Sequence, residues 1–215
     1  MITENVLPWL ALIIGGYFLG SIMFCRVICL TFFKTDICKV SKDGNPGAAN
    51  AFWYCGKIAG ISGLLLDMLK GFLPTFIAIK YLDVDNPLFG LVMFAPVLGH
   101  AFSIYHNFSG GKCIGTIYGV LTALFLTWTS PYLLIVLGVF NLFFELLLKS
   151  VPGDRRAYIM FTFLILASML VGNYADQGAI MLGGILMSLL AILKHSPLFA
   201  KTEEKKSRRK VSVSK

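Results

Sequence analysis

Two glycine-rich stretches carry the side chains best suited to phosphate chemistry. The first reads Gly44-Asn45-Pro46-Gly47-Ala48-Ala49-Asn50; the second opens at Gly99-His100 and resumes at Gly110-Gly111-Lys112. Glycines let backbone N–H groups come close to an anion, and a helix starting just beyond them adds the positive end of its dipole. In the stretch Asn107-Phe108-Ser109-Gly110-Gly111-Lys112-Cys113-Ile114-Gly115-Thr116, Lys112 adds a full charge to those amides. The spacing is not that of a P-loop, which needs Gly-x4-Gly-Lys-Ser/Thr. On these residues alone, a phosphate cradle and a flexible turn with a loop lysine are equal readings.

His100 sits on the segment leading into that turn, where its imidazole could donate or take a proton near neutral pH. The competing reading is a histidine satisfied by hydrogen bonds between helices; His106, nearer the surface, is the weaker candidate. Asp67 and Lys70 are three residues apart, hence on one helix face, roughly 16 to 21 Å from the helix start near Gly56. Neither charge belongs in lipid, so they either lock helices together as a buried pair or face a polar cavity. Arg26 and Glu145 lie nearer a boundary, where Arg26 can snorkel and Glu145 can pair with Lys149. Cys25, Cys29, Cys38, Cys55 and Cys113 lack the paired spacing of a zinc site and are expected as reduced thiols. No metal and no cofactor are expected.

The elements that position these residues follow from hydropathy. With 57% hydrophobic and only 14% charged residues, the chain is too apolar for an ordinary soluble domain. It reads as an all-α polytopic membrane protein. Apolar runs of about 20 residues cross a bilayer as helix, and about seven begin, near Val6, Gly56, Leu88, Ile114, Tyr132, Ala157 and Gly178. The first run lacks a preceding basic segment and a cleavage site, so it is expected to remain as a span. The net charge of +8 does not indicate nucleic acid, because the cations lie in short inter-helix loops and a tail. Lys34, Lys39, Lys42, Lys57, Lys112, Lys149, Arg155, Arg156 and Lys194 fall on one side. Glu4, Asp83, Asp85 and Asp176, with Lys80, fall on the other. That segregation predicts the N-terminus outside and the C-terminus in the cytosol, with both glycine loops at the cytosolic surface. Residues 1–196 form the expected membrane domain. Residues 197–215 read as a disordered basic tail that attracts anionic lipid headgroups.

Taken together, these motifs resemble the bacterial glycerol-3-phosphate acyltransferases that use acyl-phosphate, the PlsY family. The resemblance runs from Gly20-Ser21-Ile22 through Asp36-Ile37 and residues 44–50 to Gly56-Lys57 and Asp67-x-x-Lys70-Gly71. It continues at Gly99-His100-x-Phe102 and Gly110-Gly111-Lys112 and ends at Thr116. It implies a bacterial inner-membrane enzyme with its site facing the cytosol. That enzyme moves an acyl chain from acyl-phosphate to the 1-hydroxyl of glycerol 3-phosphate, giving lysophosphatidic acid and phosphate. His100, Lys112 and Asn45 would be catalytic. Gly44, Gly47, Asn50, Gly110, Gly111, Thr116, Asp67 and Lys70 would bind substrate or phosphate. The His-x4-Asp pattern of other glycerolipid acyltransferases is missing, since Tyr105, Gly111 and Ala200 stand five residues after the three histidines.

The chain departs from the family at several positions. Lys42-Asp43 stands where Gly-Ser is usual, placing a carboxylate beside the expected phosphate. Ser103, Ser109 and Cys113 replace Pro, Lys and Gly. The family's third motif is not recognisable around Arg155, Arg156 and Tyr158, and its late Arg-His segment survives as Lys194-His195. Two alternatives remain open at this stage: an acyl-phosphate hydrolase or regulatory relative, and a small transporter whose pathway uses Asp67 and Lys70.

Overall fold

The first apolar run is not one straight helix. Helices α1 (Val6–Gly20) and α2 (Phe24–Phe33) meet at 40° across residues 21–23. A break in a helix strips carbonyls of their intrahelical partners, and in lipid these must be satisfied from elsewhere. Here Ser103 Oγ donates to the Ser21 carbonyl at 2.6 Å and Lys70 Nζ to the Ile22 carbonyl at 2.6 Å. The bend thus gives two site-bearing segments something to hold.

The structure, a computed structural model, describes residues 5–147 and 151–196. Lys149, expected to pair with Glu145, and the basic tail lie outside the described residues. Beyond α2, the polar segment expected only as a loop is partly helical. It contains α3 (Ile37–Val40), capped by Asp36 accepting from Cys38 N at 3.2 Å, and α4 (Ala48–Cys55). There follow α5 (Lys57–Tyr81), α6 (Leu88–Ala101) with a 3-10 turn at Ile104–His106, and α7 (Ile114–Leu126). The chain continues as α8 (Tyr132–Leu147), α9 (Gly153–Tyr174) and α10 (Gly178–Lys194). No strand occurs among the described residues.

Helices therefore occupy all seven expected apolar runs, but they differ in reach. Lys57–Tyr81, Leu88–His106 and Gly153–Tyr174 are long and apolar enough to cross a membrane, and the bent α1–α2 pair is a fourth candidate. Helices α7, α8 and α10, with 13, 16 and 17 residues, are shorter than the about 20 residues a straight crossing needs. Along α8, Ile135, Val139, Leu142 and Leu146 point outward and are 50–65% exposed. Their spacing of three and four residues makes an apolar outer stripe, which suits lipid rather than water.

Between helices, small residues set the distance. A Cβ on Gly20 would strike the Pro96 carbonyl of α6, and one on Gly99 would strike the Tyr17 carbonyl of α1. Gly71 and Gly119 do the same for α5 against α7, meeting the Thr116 and Met68 carbonyls. Close backbone approach of this kind is how helices associate where apolar burial gives no advantage over lipid. Around these contacts Phe89, Val97, Ile117, Leu121, Phe161 and Met187 fill a common core.

Candidate active site

The deeper layer of the site is built on α5 and α6. Asp67 and Lys70 form an ion pair at 2.8 Å with both side chains almost wholly buried. Lys70 Nζ also lies 2.7 Å from His100 Nδ1, and Cys25 Sγ donates to Asp67 Oδ2 at 3.3 Å. An ammonium can only donate, so Nδ1 of His100 is the acceptor and the ring hydrogen resides on Nε2. That Nε2 abuts Gly111: a Cβ there would collide with the ring, just as a Cβ on Gly110 would collide with the His100 carbonyl. The Gly111 N–H donates to that carbonyl at 2.9 Å. The two glycines thus let the loop settle against the end of α6, and one of their amides is used within the protein.

Above this lies a polar network at the surface. Lys112 Nζ is 3.0 Å from Asp154 Oδ1 in the first turn of α9 and 3.3 Å from Asp43 Oδ2 in the first loop. Asp154 Oδ1 also accepts from His195 Nδ1 at 2.8 Å, just past α10. Asp43 Oδ1 accepts from Asn50 Nδ2 at 2.8 Å and from Asn45 N at 3.2 Å, while Asn50 Nδ2 also donates to the Asn45 carbonyl at 2.8 Å. Gly44, with φ 61°, supplies the left-handed turn between Asp43 and Asn45, and Gly47 begins α4. Three segments remote in sequence thereby converge on the Lys112 turn.

The charge states follow from these contacts. Burial alone would raise the Asp43 carboxyl, but Asn50, the Asn45 amide and Lys112 outweigh it and hold it below the usual carboxylate range. Burial would likewise lower Lys112, yet Asp154 and Asp43 raise it above an ordinary lysine. His195 is pushed down by burial, against the pull of Asp154, so it is neutral at pH 7 with Nδ1 donating. The Oδ1 of Asn45 and Nε2 of His195 are buried without a hydrogen bond among the described residues. Beside the network, Lys42, Asp43, Asn50, Trp53 and Tyr54 line an open cavity of about 470 Å³.

This architecture matches known proteins along most of its length. The family model "Glycerol-3-phosphate acyltransferase" matches residues 10–203. The glycerol-3-phosphate acyltransferase of Macrococcus caseolyticus is 32% identical, over 86% of this chain and 88% of its own. That of Aquifex aeolicus is 35% identical, over 70% of this chain and 77% of its own. The chain belongs to the glycerol-3-phosphate acyltransferase family. Among solved structures, the glycerol 3-phosphate form of PlsY, described as an integral membrane glycerol 3-phosphate acyltransferase, superposes with a TM-score of 0.73 at 30% identity. It covers 87% of this chain and 88% of its own. The lysophosphatidic acid form gives a TM-score of 0.71 at 28% identity, covering 90% and 91%.

Within this acyltransferase-family chain, the expected site residues divide into three places. Gly44, Asn45, Gly47 and Asn50 share the loop that reaches Lys112 through Asp43. His100, Gly110 and Gly111 join that loop to the buried Asp67–Lys70 pair. Thr116 stands apart in the first turn of α7, wholly buried beside Gly71, with an unpaired Oγ1. Asp154 was absent from the expected site because nothing local in the sequence marks it, and His195 was noted only as the remnant of the family's late Arg-His segment, not as a site residue. Other polar groups are engaged within the protein: Lys194 Nζ donates to the Ala101 carbonyl at 3.0 Å. Arg26 grips Asp36 at 2.8 and 2.9 Å and lies 3.2 Å from His106. Glu145 pairs with Arg156 at 3.1 Å.

Proposed function

We propose that this protein transfers an acyl chain from acyl-phosphate to the 1-hydroxyl of glycerol 3-phosphate, producing lysophosphatidic acid and inorganic phosphate without acyl-CoA. The observation that carries the reading is the meeting of the two glycine loops at Lys112, directly above His100, in a chain of this family. In that arrangement Lys112 and the backbone of its turn hold the donor phosphate. Asn45 and Asn50 face the acceptor, and the unpaired Oδ1 of Asn45 orients it by accepting from its 2-hydroxyl, which leaves the 1-hydroxyl hydrogen to the phosphate. The acyl tail lies along apolar helix faces.

The acceptor oxygen bonds to the acyl carbon while the carbon–oxygen bond to phosphate breaks, and the departing phosphate takes the hydroxyl proton. His100 is poorly suited as the base, since Lys70 engages its Nδ1 and Nε2 already carries a hydrogen; it instead donates toward the phosphate. Phosphate is a good leaving group, so most of the rate comes from holding two anions in attack geometry. We place the protein in the bacterial inner membrane with seven crossings, the three short helices thinning the bilayer locally. The N-terminus is outside and the Lys112 end faces the cytosol, as the cation distribution supports.

Purified protein given palmitoyl-phosphate and labelled glycerol 3-phosphate tests the proposal. Labelled lysophosphatidate is the expected product, and palmitoyl-CoA should not substitute for the donor. Free palmitate with no labelled lipid would mean hydrolysis and overturn the reading.

A further inference from the structure

Lys112 is the cation on which the proposed phosphate site turns, yet it is already claimed. Two carboxylates grip it, Asp43 at 3.3 Å and Asp154 at 3.0 Å, and the neutral imidazole of His195 shares the cluster through Asp154. Lys112, Asp43 and Asp154 together carry a net charge of −1. A phosphate arriving here meets a cation whose field is already cancelled, and it must draw Lys112 out of the grip. The grip is not sealed: the side chains of Lys112, Asp43 and Asp154 are 28%, 44% and 54% exposed. Exposed pairs of this kind are weak enough to exchange partners.

We propose that Asp43 and Asp154 form an acidic clasp that the substrate phosphate displaces, and that Asp43 thereby sets how tightly this chain binds its phosphorylated substrates. The inference rests on the phosphate-cradle reading of Lys112. Asp43 divides its labour cleanly between its two oxygens. Oδ1 holds the loop through Asn45 and Asn50, and Oδ2 faces Lys112. An asparagine can therefore keep the loop contacts at Oδ1 while removing the charge and presenting an amide donor, which an ammonium does not attract. Asp154 offers the matching variant, because an asparagine retains the Oδ1 that accepts from His195.

The test uses the full-length protein in detergent and reads two independent quantities for the wild type, Asp43→Asn and Asp154→Asn. These are binding of inorganic phosphate, by calorimetric titration, and acyl transfer from palmitoyl-phosphate. Each variant should bind phosphate about 3- to 10-fold more tightly at low salt, and the gain should shrink at about 0.5 M salt. In Asp43→Asn the KM for the phosphorylated substrates should fall by a similar factor while kcat stays level or drops. Adding Lys112→Ala to Asp43→Asn should abolish the gain. Phosphate affinity that is unchanged or weaker in both folded variants would overturn the clasp, as would a gain that survives loss of Lys112. Tighter phosphate binding without any lysophosphatidate would leave the clasp standing and overturn the assigned reaction.

Discussion

At the residue scale, the two lysines of the site differ first in burial. Lys112 is partly exposed and makes its contacts at the surface, so truncating it removes charge without emptying a core. Lys112→Ala should lower kcat/KM for acyl transfer at least about 100-fold, as losing a transition-state electrostatic contact does. Its melting temperature should stay within a few degrees, checked by thermal unfolding in detergent. Lys70 is the opposite case, with its side chain wholly buried against Asp67 and His100. Lys70→Met leaves Asp67 charged and unpaired in the interior, a change worth about 3–5 kcal/mol of stability. Thermal unfolding should show that loss, and Asp67→Asn added to it should recover part.

Titration of the surface bridge gives another residue-scale expectation. Asp43 is held below the usual carboxylate range, so its contribution to stability is present above its unfolded value and is lost as pH falls through the folded one. Lys112 is held above the usual lysine range, so its contribution is present at lower pH and is lost as pH rises through its folded value. The bridge is therefore intact across the neutral range. Because Asp43 is well exposed and Lys112 partly so, solvent screens the bridge and it contributes at most about 1 kcal/mol. The melting-temperature gap between wild type and Asp43→Asn should be small and flat from about pH 6 to 9 and close toward pH 3; a gap that widens in acid would contradict the assignment.

At the scale of elements, the second loop is positioned by what its glycines lack. Gly110 and Gly111 lie against the carbonyl and ring of His100, so an added methyl must push the loop off α6. Gly111→Ala should destabilise by about 1–3 kcal/mol, the cost of overpacking, and should reduce acyl transfer more than Lys112-independent properties such as membrane insertion. Activity and thermal unfolding on one preparation check this. The helices themselves were legible because apolar length is a local property, and so were Asp67 and Lys70, since three-residue spacing fixes a shared face. The bend between α1 and α2 was less so: a Gly20-Ser21 pair allows a break but does not require one. Whether glycine space would admit an anion or the end of another helix was not legible at all. That depends on His100, brought to the loop only by the turn at residues 102–109. Asp154 was hidden for the same reason, and the family remnant at Lys194-His195 did not reveal its partner, because a polar contact made between segments remote in sequence leaves no pattern in any one of them.

At the scale of the whole molecule, charge and chain direction agree. Asp43, Lys112, Asp154 and His195 meet although they flank different helices, and Gln177 meets Thr129 beyond the opposite ends of those helices, so the described ends segregate. Lys34, Lys39, Lys42, Lys57, Lys112, Arg155, Arg156 and Lys194 lie toward the site, whereas Asp83, Asp85 and Asp176, with Lys80, lie at the far end. Short loops rich in Lys and Arg are retained in the cytosol, which would put the site where phosphorylated substrates are made. Cysteine labelling in intact cells measures this directly. Four native thiols are buried, and Cys38, the partly exposed one, can be replaced by Ser. In that background Asp85→Cys should react with a membrane-impermeant maleimide from outside, and Lys42→Cys should react only after permeabilisation. The reverse pattern would place Lys112 outside the cell and separate the site from its substrates. It would also require eight or more cations to have crossed the membrane against the usual bias, so the labelling result bears on the reaction as much as on the topology.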